Sequence, residues 1–460
     1  TIVQRVAKTS SLIGVRVVHL TVIMTRTMTS ELKEKIDETV TLSGWLHKKR
    51  LLGGLNFITI RDGSGVAQTL IDNKDELEKL RGLQIGTVLS LTGKVISDER
   101  APGGAELHDV KVEVLVPVTD ESPIEIDKPI DHKSENLDTL FDNRVIGLRN
   151  LQERAVFEIQ STLTRAMRQY FYDNQFTEMH TPKLLAEATE GGAEVFKLDY
   201  FGKTATLAQS PQFYKQMMVG VFERVFEIAP VYRAEQSATT RHMTEYTSID
   251  GEMGFITLQD LESFLSGLLR FSTDAVWAAH EPELKRWNAT KPLIPEQIPV
   301  LSMNEIHERY SKATGENTVG EKDLRPDEER WICEYSKKEL GSEAVFVSEW
   351  PASEMKFYHK ANEENPEVAD RVDLLFRGVE ITTGSMRENR YDVIVAQLKK
   401  MTGAGPDDAG FAPLISAMKY GMPPHGGFGM GLERVTQKLL GFNNIKEATL
   451  FPRDINRLTP

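Results

Sequence analysis

Five runs between Val40 and Val118 repeat one period. TVTLSGWLH, LNFITIRDGSG, VAQTLID, GTVLSLTGKVIS and AELHDVKVEVLVPV alternate apolar with polar residues and are cut by Gly and Asp. Successive side chains on a strand point to opposite faces, so each run buries one face only. Five short strands of this kind need a shared interior. Between the third and fourth, KDELEKLRGL reads as a single helix.

That layout is the one of an OB-fold β-barrel, taking residues 36–120. The polar stretch TDESPIEIDKPIDHKSENLDTLFDNR has two prolines and little periodicity, and it reads as a hinge over 121–148. The period then changes. NLQERAVFEIQSTLTRAMRQYFYDNQF has helical spacing. Strand-like runs follow (TATLAQS, RVFEIAPVYRAE, TEYTSIDGEMGF, VDLLFRGVEITTGS), with acid-rich helical segments inserted at about 275–345. The expected fold class is α+β: a five-stranded N-terminal barrel, then a domain over 149–460 built on an antiparallel sheet flanked by helices.

Bulk properties narrow the function classes. Cys333 is the only cysteine, which excludes an intrachain disulfide framework and points to a reducing compartment, the cytoplasm. With 55 basic and 68 acidic side chains the net charge is -13, against a protein that coats nucleic acid without preference. No run reaches the ~18 apolar residues that span a bilayer, so no membrane role is expected. Residues 1–35 form an N-terminal extension. Its first 29 positions hold Arg5, Lys8, Arg16 and Arg26 and no acid, which suits either a targeting segment or an addition ahead of a folded protein starting at Met24 or Met28. The second reading is preferred.

Three segments carry charged groups suited to chemistry. VYRAEQSATTRHMTEYTSIDGEMGF puts Arg233 and Glu235 two apart on one strand, hence on one face, before a loop with Arg241 and His242. FRGVEITTGSMREN offers Glu380, Thr383 and Arg387, and YGMPPHGGFGMGLERV sets a glycine-rich loop ahead of Gly431 and Arg434. Taken singly, such strand pairs are most often solvated cross-strand partners, and His242 a surface histidine. Their succession within one domain is more telling.

FTEMHTPKLL with Pro182, YRAEQSATTRHMTE and GGFGMGLERV resemble motifs one, two and three of class II aminoacyl-tRNA synthetases. Their order behind an OB domain resembles the aspartyl, asparaginyl and lysyl subgroup, and TEGGAEVF, AQSPQFYKQ, GVEITTGSMRE and LFPRDINRLTP narrow the resemblance to aspartyl-tRNA synthetases of the archaeal type. It covers about residues 36–460. The resemblance implies a two-step reaction. An amino-acid carboxylate attacks the α-phosphorus of ATP, and a terminal ribose hydroxyl of tRNA then takes the aminoacyl group. No protein nucleophile is needed, so catalysis is positioning and charge stabilisation.

The resemblance assigns Arg233, Glu380 and Arg434 to catalysis. Ala234, Glu235, Arg241, His242, Met243, Gly431, Leu432 and Glu433 join them around ATP. Glu380 and Thr383 would hold Mg²⁺, threonine keeping the oxygen that serine supplies in many relatives. Lys215 and Arg387 match the cations that grip a substrate's β-carboxylate, with Glu190, Gln212, Arg233 and Thr383 around the rest of aspartate. Asparagine would leave those buried cations unpaired. Motif one implies a homodimer.

In the barrel, Phe57 and Gln68 on adjacent strands, with Arg61 and the Lys48-Lys49-Arg50 cluster, resemble an anticodon-reading face. His47 and Pro102 stand where strictly selective archaeal-type relatives carry a tryptophan and a lysine, which implies a non-discriminating enzyme that charges tRNA(Asp) and tRNA(Asn). The alternatives are a discriminating aspartyl enzyme, an asparaginyl enzyme (disfavoured by Lys215), a non-catalytic RNA-binding paralogue (disfavoured by Arg233, Glu380 and Arg434) and a tRNA-independent amidating enzyme (disfavoured by the OB domain).

Overall fold

The computed structural model describes residues 7–12 and 15–20 as backbone, and 26–51, 54–132, 137–186, 194–237 and 239–459 in full. The chain forms two compact units, one of residues 1–136 with 145–151 and one of 137–144 with 152–460.

The smaller unit is a closed barrel of β1 (Thr39–Leu51), β2 (Asn56–Arg61), β3 (Val66–Leu70), β4 (Val88–Ser97) and β5 (Ala105–Val116), in the order β1-β2-β3-β5-β4. The alternation in the sequence becomes an inside and an outside: Leu42, Leu46, Ile58, Ile60, Leu89, Leu91 and Leu107 are buried in the interior. Helix α1 (Lys74–Arg81) lies between β3 and β4, capped by the Asn73 side chain, which accepts from the Asp75 and Glu76 amides. The segment Thr29–Lys35, placed by sequence in the extension, is a 3₁₀ turn whose Leu32 joins the barrel core. Thr29 donates to Asp62 through both its amide (2.8 Å) and its hydroxyl (2.7 Å). Ahead of it, Ala7–Leu12 pairs antiparallel with Val15–Leu20.

The larger unit is built on an eight-stranded sheet. Its strands are β6 (Thr177–Glu178), β7 (Arg224–Tyr232), β8 (Glu245–Gly254), β9 (Val300–Ser302), β10 (Ala344–Ser348), β11 (Arg371–Phe376), β12 (Val379–Arg387) and β13 (His425–Gly431). Their order is β9-β10-β11-β12-β13-β8-β7-β6, antiparallel except for the outermost pair on each side. Helices α2 (Leu151–Asp173) and α4 (Leu258–Ala279) turn their apolar stripes onto the sheet, packing Ile159, Leu163, Phe171, Leu265 and Leu268 with Phe226, Ile249 and Phe428. Between them in the chain lies α3 (Gln212–Phe222). The region expected to be a helical insertion contains α5 (Met303–Thr314) and α6 (Pro326–Tyr335), but its Val300–Ser302 also extends the main sheet. No helix among the described residues is long and apolar enough to cross a membrane.

Two local expectations are corrected. HGGFGMG is not a loop: it is β13, between β8 and β12, leading directly into α7 (Leu432–Leu440). None of its glycines has a positive φ. A Cβ at Gly427 would instead lie 2.0 Å from Glu252 Oε2 and 2.3 Å from the Gly251 carbonyl oxygen, so the missing side chain makes room for a carboxylate of β8. Arg233 and Glu235, in turn, do not share a strand. β7 ends at Tyr232, because the Ala234 amide leaves the ladder to donate to the Glu194 carbonyl (2.9 Å).

Candidate active site

The sheet face opposite α2 and α4 carries a cavity of about 250 Å³, walled by β8, β12, β13, the start of α3 and the segment after β7. Its closed end is charged and buried. Lys215 on α3 donates from Nζ to Asp250 Oδ1 (2.8 Å) and to the Phe428 carbonyl (2.7 Å), with Glu252 Oε2 3.6 Å away. Arg387 donates from Nε and Nη2 to the two oxygens of Glu252 (2.7 and 3.2 Å). Glu252 is fully buried. Burial works to raise its pKa, but Arg387 and Lys215 outweigh that and hold it below the usual carboxylate range.

Contrary to the expectation from sequence, a neutral ligand would not leave these cations unpaired, because Asp250 and Glu252 already pair both. Lys215 is itself fully buried on α3. Beside it, Gln212 is buried, and its amide nitrogen has no hydrogen-bond partner among the described residues. Glu190 lies outside the described residues.

The other end is more open. Arg233 is exposed, and its amide donates to the Thr244 carbonyl (2.9 Å). Arg434, on the first turn of α7, donates to the Glu380 carbonyl (2.8 Å) and lies 3.5 Å from Glu380 Oε1. Arg241 pairs with Glu329 (3.0 Å). His242 Nδ1 and Thr239 Oγ1 are 2.9 Å apart, and burial followed by the nearby Arg434 lowers the pKa of its ring, so it is neutral near pH 7. Met243 is buried against Thr449, while Glu235, Gly431 and Glu433 line the cavity. Leu432 turns into the core, and Ala234 contributes its backbone bond to Glu194.

Glu380 and Thr383 meet through an irregularity. Across β11 and β12, Leu374 faces Thr382 and Leu375 faces Glu380, so Ile381 is an extra residue. In an unbroken strand positions three apart point to opposite faces. The bulge restores them to one, and Thr383 Oγ1 donates to Glu380 Oε1 at 3.3 Å.

In the barrel, Phe57 and Gln68 lie half-exposed on the outer face, on neighbouring strands in which Gln68 pairs with Thr59 and Phe57 with Leu70. Gln68 donates to Glu106 Oε2 (2.7 Å), whose other oxygen is 2.7 Å from His108 Nε2. His47 sits in a β-bulge between Leu46 and Lys48 and is 8% exposed, so the ring is not displayed as a surface group. Pro102 is exposed in the 3₁₀ turn Pro102–Gly104. Lys49 is taken out of the expected cationic cluster, since its ammonium caps the carbonyls of Leu80, Arg81 and Leu83 at the end of α1.

Comparison with known families places both units. Residues 136–455 match the family described as tRNA synthetases class II (D, K and N), and residues 40–117 match the OB-fold nucleic acid binding domain. This chain belongs to the class II tRNA synthetases. A relative from Thermus thermophilus, Aspartate--tRNA(Asp/Asn) ligase, is 41% identical over 95% of this chain and 100% of its own. Aspartate--tRNA(Asp) ligase of Pyrococcus abyssi is 39% identical over 94% of this chain and 98% of its own. Among solved structures, asparaginyl-tRNA synthetase from Pyrococcus horikoshii with asparaginyl-adenylate superposes with a TM-score of 0.87 at 29% identity, covering 95% and 100% of the two chains.

Several residues lining this synthetase's cavity or packed behind its walls escaped the sequence reading. Asp250 and Glu252 alternate on β8 with Ser248, a period-two signal that the stretch TSIDGEMG does carry. Asp373 pairs in register with Thr383, and Arg371 holds its carboxylate at 3.1 and 2.6 Å. Burial first, with Glu380 adding and Arg371 opposing, pushes Asp373 up to about 7. Glu329 is likewise raised, chiefly by burial. Tyr358 and His359 line the cavity itself.

Proposed function

We propose that this synthetase activates aspartate with ATP and transfers it to tRNA(Asp) and tRNA(Asn). The observation that carries the amino-acid reading is the pair of buried cations at the closed end, Lys215 and Arg387, each braced by a fixed carboxylate. Both groups are donors only. Aspartate's side chain brings two acceptor oxygens, whereas asparagine brings an amide whose NH₂ would be set against donors. Because Asp250 and Glu252 already balance the charge, discrimination lies in hydrogen-bond polarity. A site built for one polarity rejects the other strongly.

At the open end, Arg233 and Arg434 offset charge on the phosphates of ATP, Arg233 nearest the reacting α-phosphate and Arg434 at the terminal one. Neutral His242 and half-buried Glu235 frame the base. Glu380 and Thr383 present a carboxylate and a hydroxyl on one face, hard oxygen donors that fit Mg²⁺ completed by water and phosphate oxygens. The ion, when bound, neutralises phosphate charge. Asp373 stays paired with Arg371 and acts behind that pair.

The wider tRNA reading is supported by exposed Pro102 at the barrel turn described above and by the Thermus relative, whose name carries both tRNAs. The α2 helix and the segment around Pro182 support a homodimer, and the lone cysteine a cytosolic setting.

One experiment in two stages tests the function. Pyrophosphate exchange should depend on aspartate and not on asparagine. Charging of both tRNA transcripts should then proceed at similar rates. A hundredfold preference for tRNA(Asp), about 2.7 kcal/mol, would restrict the enzyme to one tRNA, and asparagine-dependent exchange would transfer it to the asparaginyl group.

A further inference from the structure

The segment before β11 adds a short antiparallel pairing beside β12 that places one more side chain at the closed end. Lys360 donates its amide to the Met386 carbonyl and Glu388 its amide to the Tyr358 carbonyl, each at 3.0 Å. Those bonds flank His359 and Arg387, which are bridge partners. The two therefore form a non-hydrogen-bonded pair, the antiparallel position in which facing side chains stand closest and on the same side. Both line the cavity.

His359 is 5% exposed. The Lys356 amide donates to its Nδ1 at 3.3 Å, so Nδ1 is the acceptor and the ring hydrogen sits on Nε2, which has no hydrogen-bond partner among the described residues. Burial, followed by the adjacent Arg387, Arg371 and Lys356, keeps the pKa of the imidazole well below its ordinary value, so the ring is an uncharged donor. A neutral donor adds polarity to the closed end without adding charge to the balanced set of Lys215, Asp250, Glu252 and Arg387.

We propose that His359 is a specificity-determining residue whose Nε2–H donates to the side-chain carboxylate of the amino acid held by Arg387. This rests on the aspartate reading of the site. A carboxylate accepts from Lys215, Arg387 and His359 together, while an amide cannot turn its NH₂ away from all three.

The test is steady-state pyrophosphate exchange with the full chain, varying aspartate and ATP separately. His359→Ala should raise KM for aspartate about ten- to a hundredfold, the loss expected when a hydrogen bond to a charged group is removed. KM for ATP and kcat should change by no more than about twofold, as for loss of a contact made equally in ground and transition states. His359→Gln keeps an N–H donor and should recover most of the loss. A wild-type KM for aspartate in His359→Ala overturns the proposal. So does an equal rise in both KM values, the mark of a packing defect, or a His359→Gln variant as impaired as the alanine. Absence of aspartate-dependent exchange in the wild-type protein would instead remove the aspartate reading itself, before any variant is compared.

Discussion

The two ends of the cavity treat charge in opposite ways. At the closed end Lys215 and Arg387 are nearly inaccessible and already bonded to Asp250 and Glu252, so the donors are fixed before any ligand arrives. At the open end Arg233 is exposed and Arg434 contacts Glu380 mainly through a backbone carbonyl. A site that must distinguish two nearly identical side chains gains from rigidity, since mismatched polar groups are then left unpaired. A site that stabilises transient phosphate charge needs cations whose strongest partner is the ligand itself. Substitutions at the closed end should therefore be felt in stability, and those at the open end in rate.

Glu252→Gln is the harshest probe of that difference. It removes the carboxylate between two buried cations, and breaking such a pair costs about 3–5 kcal/mol. Urea denaturation should show the loss. A variant as stable as the parent would mean that water, and not Glu252, balances Arg387. Arg434→Ala and Arg233→Ala probe the other end. Each should lower adenylate formation by about 10²–10³-fold, the usual effect of deleting a transition-state donor. Arg233→Ala should leave stability within about 0.5 kcal/mol, as for an exposed position, and half-buried Arg434→Ala should cost no more than about 1.5 kcal/mol for its bond to the Glu380 carbonyl. If Arg434→Ala unfolds the protein as readily as Glu252→Gln, the contrast between the ends collapses.

What was legible in the sequence follows the same division. Period-two alternation reveals which face of a strand is buried, so the barrel interior and its helix could be read directly. The charged residues of the open end announced themselves because Arg and Glu are unusual beside apolar runs. Pairing across a sheet leaves no such mark. Nothing in FRGVEITTGS shows that the bulge at Ile381 rotates Glu380 onto the side of Thr383. The glycines of β13 suggested a ligand-facing loop, yet Gly427 is required by Glu252, a residue 175 positions earlier whose carboxylate fills its space. His359 carried no signal, since its role depends on a bridge to Arg387 that only the folded chain makes.

Glu433 locates the boundary between the two regimes and should give the smallest of these effects near pH 5. It neighbours Arg434 in the chain and lines the open end, yet it is 6% exposed, and the Thr247 amide donates to its carboxyl oxygens at 3.0 and 3.1 Å. Burial, against the pull of Thr247, pushes its pKa up to about 7. The unfolded chain releases that proton near an ordinary value of about 4.3. Between these two values the unfolded state binds fewer protons than the folded one, so stability falls as pH rises, and above about 7 the penalty is constant. Glu433→Gln removes the ionisable group and keeps an acceptor for Thr247. The stabilisation over wild type should grow from about 1 kcal/mol at pH 5 to about 3–4 kcal/mol at pH 8. Denaturation midpoints at the two pH values measure it. A gain equal at both, or a loss at pH 8, would mean that Glu433 is ionised in the folded protein, and would place it with the solvated charges of the open end.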